Sequence, residues 1–331
     1  MKTVTPQALE LTTPDLDVIN SSLTAMLKAW SVADVAFSKT QYLPDLHASC
    51  RRWYSNAVNS RATLNKVCRA VSIEFTTAVK KFNALNNASV GSTDPVFLEE
   101  INVSLKKLQT RQVNFMGVEY SKLAKALDAI DNALNTSGTK SYLIGLEKDT
   151  ATFVERIDNL KQDADTLTDQ RKVLTDAIEA LEGTGLINTA QDLTLTGEKI
   201  ISMGLLPPQA ALIALALEQM RKTLEDANAA LNYLSLIAAR NIVRERIEAK
   251  TTEVAALEQS NSLVAQRVLY LNAIHDLNDQ QLELAMEFKK VVTSFRSFLA
   301  VITKQLTDED DGAAEFFAGL DKLTVYVKLI G

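Results

Sequence analysis

The side chains in this sequence that could do chemistry are few and scattered. The 331 residues include two histidines, His47 and His275, and two cysteines, Cys50 and Cys68. A metal site needs several ligands brought together, and neither histidine stands in a cluster of candidate ligands. Each falls inside a helical pattern, where a solitary histidine reads as an ordinary core or surface residue. Cys50 and Cys68 share one helical stretch. Their separation in sequence is about 27 Å at 1.5 Å per residue, beyond the reach of a disulfide. The sequence holds no Walker A loop, G-x-G-x-x-G, H-E-x-x-H or G-x-S-x-G. Asp308 to Gly312 (DEDDG) resembles part of a calcium loop. With Gly312 as the turn glycine, however, Thr307 takes the first position and Ala318 the twelfth, where a bidentate Glu is required. We read it as a solvated loop that ends a helix. The expectation is a non-enzyme without metal or cofactor.

What stands out instead is physical. Ile200 to Leu217 (IISMGLLPPQAALIALAL) carries no charge, and 13 of its 18 residues are aliphatic or Met. Pro208 to Leu217 is apolar all round, the mark of a segment buried in protein or lipid. Ten residues of helix reach about 15 Å, half of a bilayer core of about 30 Å. The arm Ile187 to Leu206 is long enough to span, but it is amphipathic and holds Gly197. Its L-T-L-T alternation at 193–196 also fits a short β-tongue. The residues that could enter a membrane are Ile200, Ile201, Met203, Leu205, Leu206, Leu212, Ile213, Leu215 and Leu217. Gly183, Gly185, Gly204, Pro207 and Pro208 are candidate hinges. Asp192, Glu198 and Lys199 are candidates for a water-filled, pore-facing side. A short apolar hairpin can equally be its own small core or a contact for another protein.

The elements that must position this segment are long helices. Gly (11) and Pro (6) are scarce, and these are the residues helix interiors tolerate least. Breakers divide the chain into helical candidates near 14–40, 45–86, 96–135, 141–182, 187–203, 208–306 and 312–330, with Thr13-Pro14 opening the first. From Gln209 to Asp311 there are 103 residues without Pro or Gly, so 208–306 is expected to be one helix. The break at 135–140 reads as a possible kink that would leave 96–182 continuous. Phe153, Ile157, Leu160, Ala164, Leu167, Arg171, Leu174, Ile178 and Leu181 keep a 4-3 spacing. So do Val243, Ile247, Lys250, Val254, Leu257, Asn261, Val264, Val268 and Leu271. These are two coiled-coil seams that pair antiparallel about residue 206.

Aromatic placement separates a thick part from a thin one. No aromatic residue occurs from 154 to 232. Large rings fill the wide core of a bundle, whereas a two-helix seam needs only aliphatics. Trp30, Trp53, Phe75, Phe82, Phe97, Phe115, Phe288, Phe295, Phe298, Phe316 and Phe317 are therefore assigned to a bundle built from both chain ends. The expected fold is all-α: an elongated rod with a multi-helix tail bundle (1–140 and 272–331), an antiparallel coiled-coil neck (141–182 ascending, 231–271 descending) and an apolar hairpin tip (183–230).

The formal charge of −6 and pI near 5.2 argue against nucleic acid as a partner, which calls for a basic stripe. They also argue against simple electrostatic attachment to anionic lipid. Lys106, Lys107, Arg111, Lys122 and Lys125 make one mildly basic helix, which reads as a solvated face or a partner-binding edge. Met1 to Pro14 has no basic segment followed by an apolar run, so no Sec-type signal is expected.

This layout resembles the α-helical pore-forming toxins of the cytolysin A superfamily, and most of all the B component of the binary Xax/Yax-type bacterial cytotoxins. The resemblance rests on the tail bundle, the long antiparallel neck and the single apolar hairpin, Ile200 to Leu217 around Pro207-Pro208. It implies a haemolysin-like subunit that is made in the bacterial cytoplasm and then released. Such a subunit would self-associate in a ring together with a second, A-type component, and insert its hairpin into the target-cell lipid membrane. The competing reading is a non-toxic coiled-coil scaffold or tether whose apolar tip grips another protein.

Overall fold

The computed structural model describes residues 11–132, 134, 136–183, 194–224, 232–307 and 312–331, and the regular structure among them is all α-helix. The helices are α1 (Leu16–Thr40), α2 (Pro44–Ser89), α3 (Pro95–Ile130), α4 (Thr136–Gly183), α5 (Gly197–Ser202), α6 (Pro207–Leu224), α7 (Tyr233–Thr307) and α8 (Ala313–Ile330).

Local chemistry sets the helix starts. Asp15, not Thr13, caps α1: its Oδ1 accepts from the backbone N–H groups of Asp17 (3.0 Å) and Val18 (3.1 Å), satisfying two donors that have no partner inside the helix. Asp94 caps α3 in the same way, and Pro95 follows at the first helical position. Between α1 and α2 the turn is tight. Gln41 (φ 50°) and Leu43 (φ 53°) both take the left-handed conformation, which costs a side-chain-bearing residue free energy that the surroundings must supply. Here Tyr270 donates its hydroxyl to the Leu43 carbonyl at 3.3 Å, and Arg267 lies over the Tyr42 ring at 5.2 Å.

The chain forms two compact units. The first, residues 1–143 with 266–331, is a helical bundle. Its core holds Phe75, Phe288, Phe295, Phe298, Phe316 and Phe317, each at most 1% exposed. Phe75 packs against Phe115 and Phe298, and Phe82 stacks on Phe317 at 4.4 Å. Trp30, Trp53, Phe82 and Phe115 border this core. Phe97, expected inside, is 38% exposed; it lies in the first turn of α3, where the helix has only begun to meet its neighbours.

Two sequence expectations fail, each for a polar reason. The stretch 96–182 is not continuous: α3 ends at Ile130 and α4 starts at Thr136. The Leu134 N–H donates to Asn278 Oδ1 at 2.8 Å, and Gln281 Nε2 donates to the carbonyls of Ile130 (2.8 Å) and Asn132 (3.0 Å). Side chains of α7 thus satisfy the groups that helix termination leaves unpaired. The breaker-free run is likewise not one helix. It contains α6 and α7, and α7 begins where Asn232 Oδ1 accepts from the Ser235 N–H at 2.9 Å. Asparagine is among the best N-caps, so a helix can start within a run that has neither Pro nor Gly.

Candidate functional site: the apolar head

The second unit, residues 144–265, is built on α4 and the first part of α7. The two arms run antiparallel: Glu182 accepts from the Tyr233 hydroxyl at one end, while Arg156 pairs with Glu253 near the other. Lys250–Asp163 (2.6 Å) lies between them, and Lys161–Glu258 (2.7 Å) is close to the Arg156–Glu253 pair. The seam itself is thin. Ile157, Leu160 and Val254 form a small buried cluster there, at 6–8% exposure, with Leu257 against them.

Beyond the seam the packing thickens into a second apolar cluster. Leu174, Ala177, Ile178 and Leu181 of α4 meet Tyr233, Leu236, Ala239 and Val243 of α7. Onto these fold Leu195, Ile200 of α5 and Ile213, Ala216, Leu217 and Met220 of α6. Sequence spacing explains the face: 213, 216/217 and 220 fall on one stripe of a helix. The end of α6 is fastened to α7, because Arg246 donates to the Thr223 carbonyl at 3.4 Å. The Tyr233 hydroxyl is held protonated above its ordinary range, mainly by donating to the Glu182 carboxylate.

The outer face of α6 changes character along its length. Pro207, Pro208, Ala211, Ala214 and Leu215 are exposed and uncharged. One turn later the exposed residues are Glu218, Arg221 and Lys222, with Glu218 and Lys222 paired at 2.8 Å. The hydrogen bond from Lys222 holds the Glu218 carboxyl below its usual range. At the start of α6, Leu206 is 66% exposed and its N–H donates to Gln209 Oε1 at 3.2 Å. Gly204, at φ +70°, makes the turn out of α5 in a conformation that a side chain would strain.

The expected membrane residues therefore divide. Ile200, Ile213 and Leu217 are buried in the head cluster; Met203, Leu205 and Leu212 are half-buried against it; Leu206 and Leu215 face outward. The side chain of Ile201 lies outside the described residues, as do Gly185 and Asp192. Glu198 and Lys199 are exposed in the short α5, and Gly183 ends α4. Pro207 and Pro208 open α6. Thr194 to Thr196 are non-helical with Leu195 buried; the rest of the arm, 187–193, is outside the described residues. No helix among the described residues is long and apolar enough to cross a membrane. The pairing of α6 onto the head was the feature least visible in sequence. Its signal was the Ile213, Leu217, Met220 stripe beneath an all-apolar run.

No protein-family profile matches this sequence, and no curated protein matches it. Solved structures do. The XaxB crystal structure from Xenorhabdus nematophila superposes with a TM-score of 0.83 at 14% identity, covering 96% of this chain and 98% of that one. PaxB from Photorhabdus luminescens gives 0.73 at 15% identity, covering 96% and 98%. A chain of the XaxAB pore complex from Xenorhabdus nematophila gives 0.70 at 15% identity, covering 96% and 97%. Identity this low with coverage this complete speaks to architecture, and over nearly its whole length the chain has the all-α fold of XaxB and PaxB.

Proposed function

We propose that this chain is a non-enzymatic subunit of a bacterial α-pore-forming cytotoxin. It acts at a target-cell lipid membrane, in a ring with further copies and with a second, A-type component. The observation that carries the reading is an uncharged head apex, with Leu206 and Leu215 exposed, on a fold shared with a chain of the XaxAB pore complex. In this reading residues 1–140 and 272–331 are the tail, 141–182 and 231–271 the neck, and 183–230 the head that meets lipid.

Burying one fully exposed leucine is worth about 1.5–3 kcal/mol, so the two outward leucines give the first hold on a bilayer. Deeper entry requires α6 to leave the head cluster and turn Ile213 and Leu217 toward lipid. Little apolar burial is lost when they exchange a protein interior for hydrocarbon. Glu218, Arg221 and Lys222 set the limit. The uncharged part of α6 is about 16 Å long at 1.5 Å per residue, enough for one leaflet, and the arm before Gly204 must supply the rest. Glu198 and Lys199 would then face water.

The test is dye release from neutral liposomes with and without the product of a neighbouring gene. Leu206→Glu with Leu215→Glu should leave the circular dichroism spectrum unchanged, because both side chains point outward, and should cut release about tenfold or more. Undiminished release by the double variant would overturn the reading. Intact liposomes with the unaltered chain and partner together would favour the scaffold alternative.

A further inference from the structure

The first unit carries a groove that the head and its proposed role do not use. It runs between α2 and α3, which pack antiparallel: Asn56 Nδ2 donates to the Ala129 carbonyl at 3.1 Å, Ser60 Oγ to the Ala126 carbonyl at 3.0 Å, and Gln112 Nε2 to Glu74 at 3.1 Å. The floor is of small residues, among them Ser60, Ala70 and Ala126. The groove follows α2 from Asn56 to Ala70, about 21 Å of helix rise, and small floor residues leave room for another helix to lie close.

The charge around this groove is opposite to that of the chain. Pro44–Ser89 has seven Lys and Arg against two Asp and Glu, and Pro95–Ile130 has five against four, in a chain of net charge −6. Lys66, Lys122 and Lys125 line the groove and are exposed. Lys122 is held by Glu119 at 2.6 Å, a carboxylate buried in the floor. Lys66 and Lys125 make no ion pair among the described residues. One turn beyond Ala70 and Lys122, on the same helix faces, stand Ile73 and Val118, 69% and 56% exposed. Two large aliphatics left in water beside a basic rim are of the kind that anchors a helix in a groove.

We propose that the α2–α3 groove binds an amphipathic helix of a partner protein, one that sets acidic side chains against Lys66 and Lys125 and an apolar stripe against Ile73 and Val118. A second copy seated groove on groove would set the same lysines against each other, which disfavours that occupant. Charge pairs at a solvated rim chiefly set association rate and salt dependence, and the aliphatic anchors slow release.

The experiment uses the full chain and a labelled 21-residue helical peptide with a Leu/Ala stripe flanked by Glu, followed by fluorescence anisotropy. Gln-flanked and Lys-flanked peptides serve as comparisons. We expect the Glu peptide to bind and the Lys peptide not to. Lys66→Glu with Lys125→Glu should weaken binding about tenfold at low salt, and this effect should shrink as salt shortens the Debye length to about 8 Å at 0.15 M. Ile73→Asp should weaken binding at every salt concentration, while Lys172→Glu, in the other unit, should change nothing. Absence of Glu-peptide binding, or binding equally lost in Lys172→Glu, overturns the proposal. So does a concentration-dependent dimer in sedimentation that the groove variant abolishes, which reassigns the groove to a second copy. Binding to anionic vesicles that the same variant removes, without peptide binding, reassigns it to lipid. None of these readouts depends on pore formation.

Discussion

The bundle core and the head core are both dry, yet they are made of different materials. The bundle interior is ring-rich: Phe75, Phe288, Phe295, Phe298, Phe316, Phe317 and Tyr270 are fully buried there. The head interior is aliphatic, with Tyr233 as the one ring in its buried cluster. Rings bring large buried area and fixed edge-to-face geometry, which suits a core that stays assembled. Leu, Ile, Ala and Met fit almost as well against lipid tails as against one another. On the proposed function, a head core of that composition would be exchanged for a bilayer at small cost, whereas the phenylalanine-rich core shared by α1, α2, α3, α7 and α8 would stay assembled. The two cores thus differ in side-chain type although both are equally buried.

The largest effect should come from testing that difference directly. Phe298→Ala should cost about 3–5 kcal/mol and lower the denaturant midpoint of the bundle. Ile213→Ala in the head should cost about 2–5 kcal/mol within its own cluster but leave amide protection in α2, α3 and α8 unchanged. Hydrogen exchange measured helix by helix checks this. If Ile213→Ala lowered protection throughout the bundle, the two cores would be one cooperative structure and the comparison would break.

A second difference is alkaline sensitivity. Burial pushes the thiols of Cys50 and Cys68 from 9.0 up to about 12, and the Tyr326 hydroxyl from 10.0 up to about 12. Each neutral form is the one the bundle stabilises. That contribution is complete below the unfolded values and is lost as pH climbs through the folded ones, because only the unfolded chain sheds its protons in between. Bundle stability should therefore fall from about pH 9 to 12, and Cys50→Ala with Cys68→Ala should flatten the fall, as read from urea midpoints. At pH 8 both thiols should resist a chromogenic thiol reagent until the chain is unfolded. Rapid reaction of the native chain would contradict their burial.

The smallest effect belongs to the neck. Lys161–Glu258 joins two exposed side chains, and such pairs add little because water and salt screen them. Lys161→Ala should leave the thermal midpoint of either unit where it is, and added salt should change nothing further. A clear drop would mean that the thin seam relies on its ion pairs more than on Ile157, Leu160 and Val254.

Much of the architecture was legible in the chain itself. Scarce Gly and Pro, two 4-3 seams and the aromatic-free stretch from 154 to 232 lead to long helices, antiparallel pairing and two kinds of core, because periodicity and ring size are local properties of sequence. The charge-free segment from Ile200 to Leu217 is equally plain there. What the sequence hid was where polar side chains far away in the chain would end a helix. Asn278 and Gln281 bond the backbone of Ile130, Asn132 and Leu134 after α3 ends, and Asn232 starts α7 inside a run without breakers. Nor could spacing alone say that α6 lies folded onto α4 and α7 with Ile213 inside and Leu215 outside, or that lysines from two helices line one groove. Those outcomes depend on which surfaces meet, and only the tertiary structure brings residues a hundred or more positions apart within reach of one hydrogen bond.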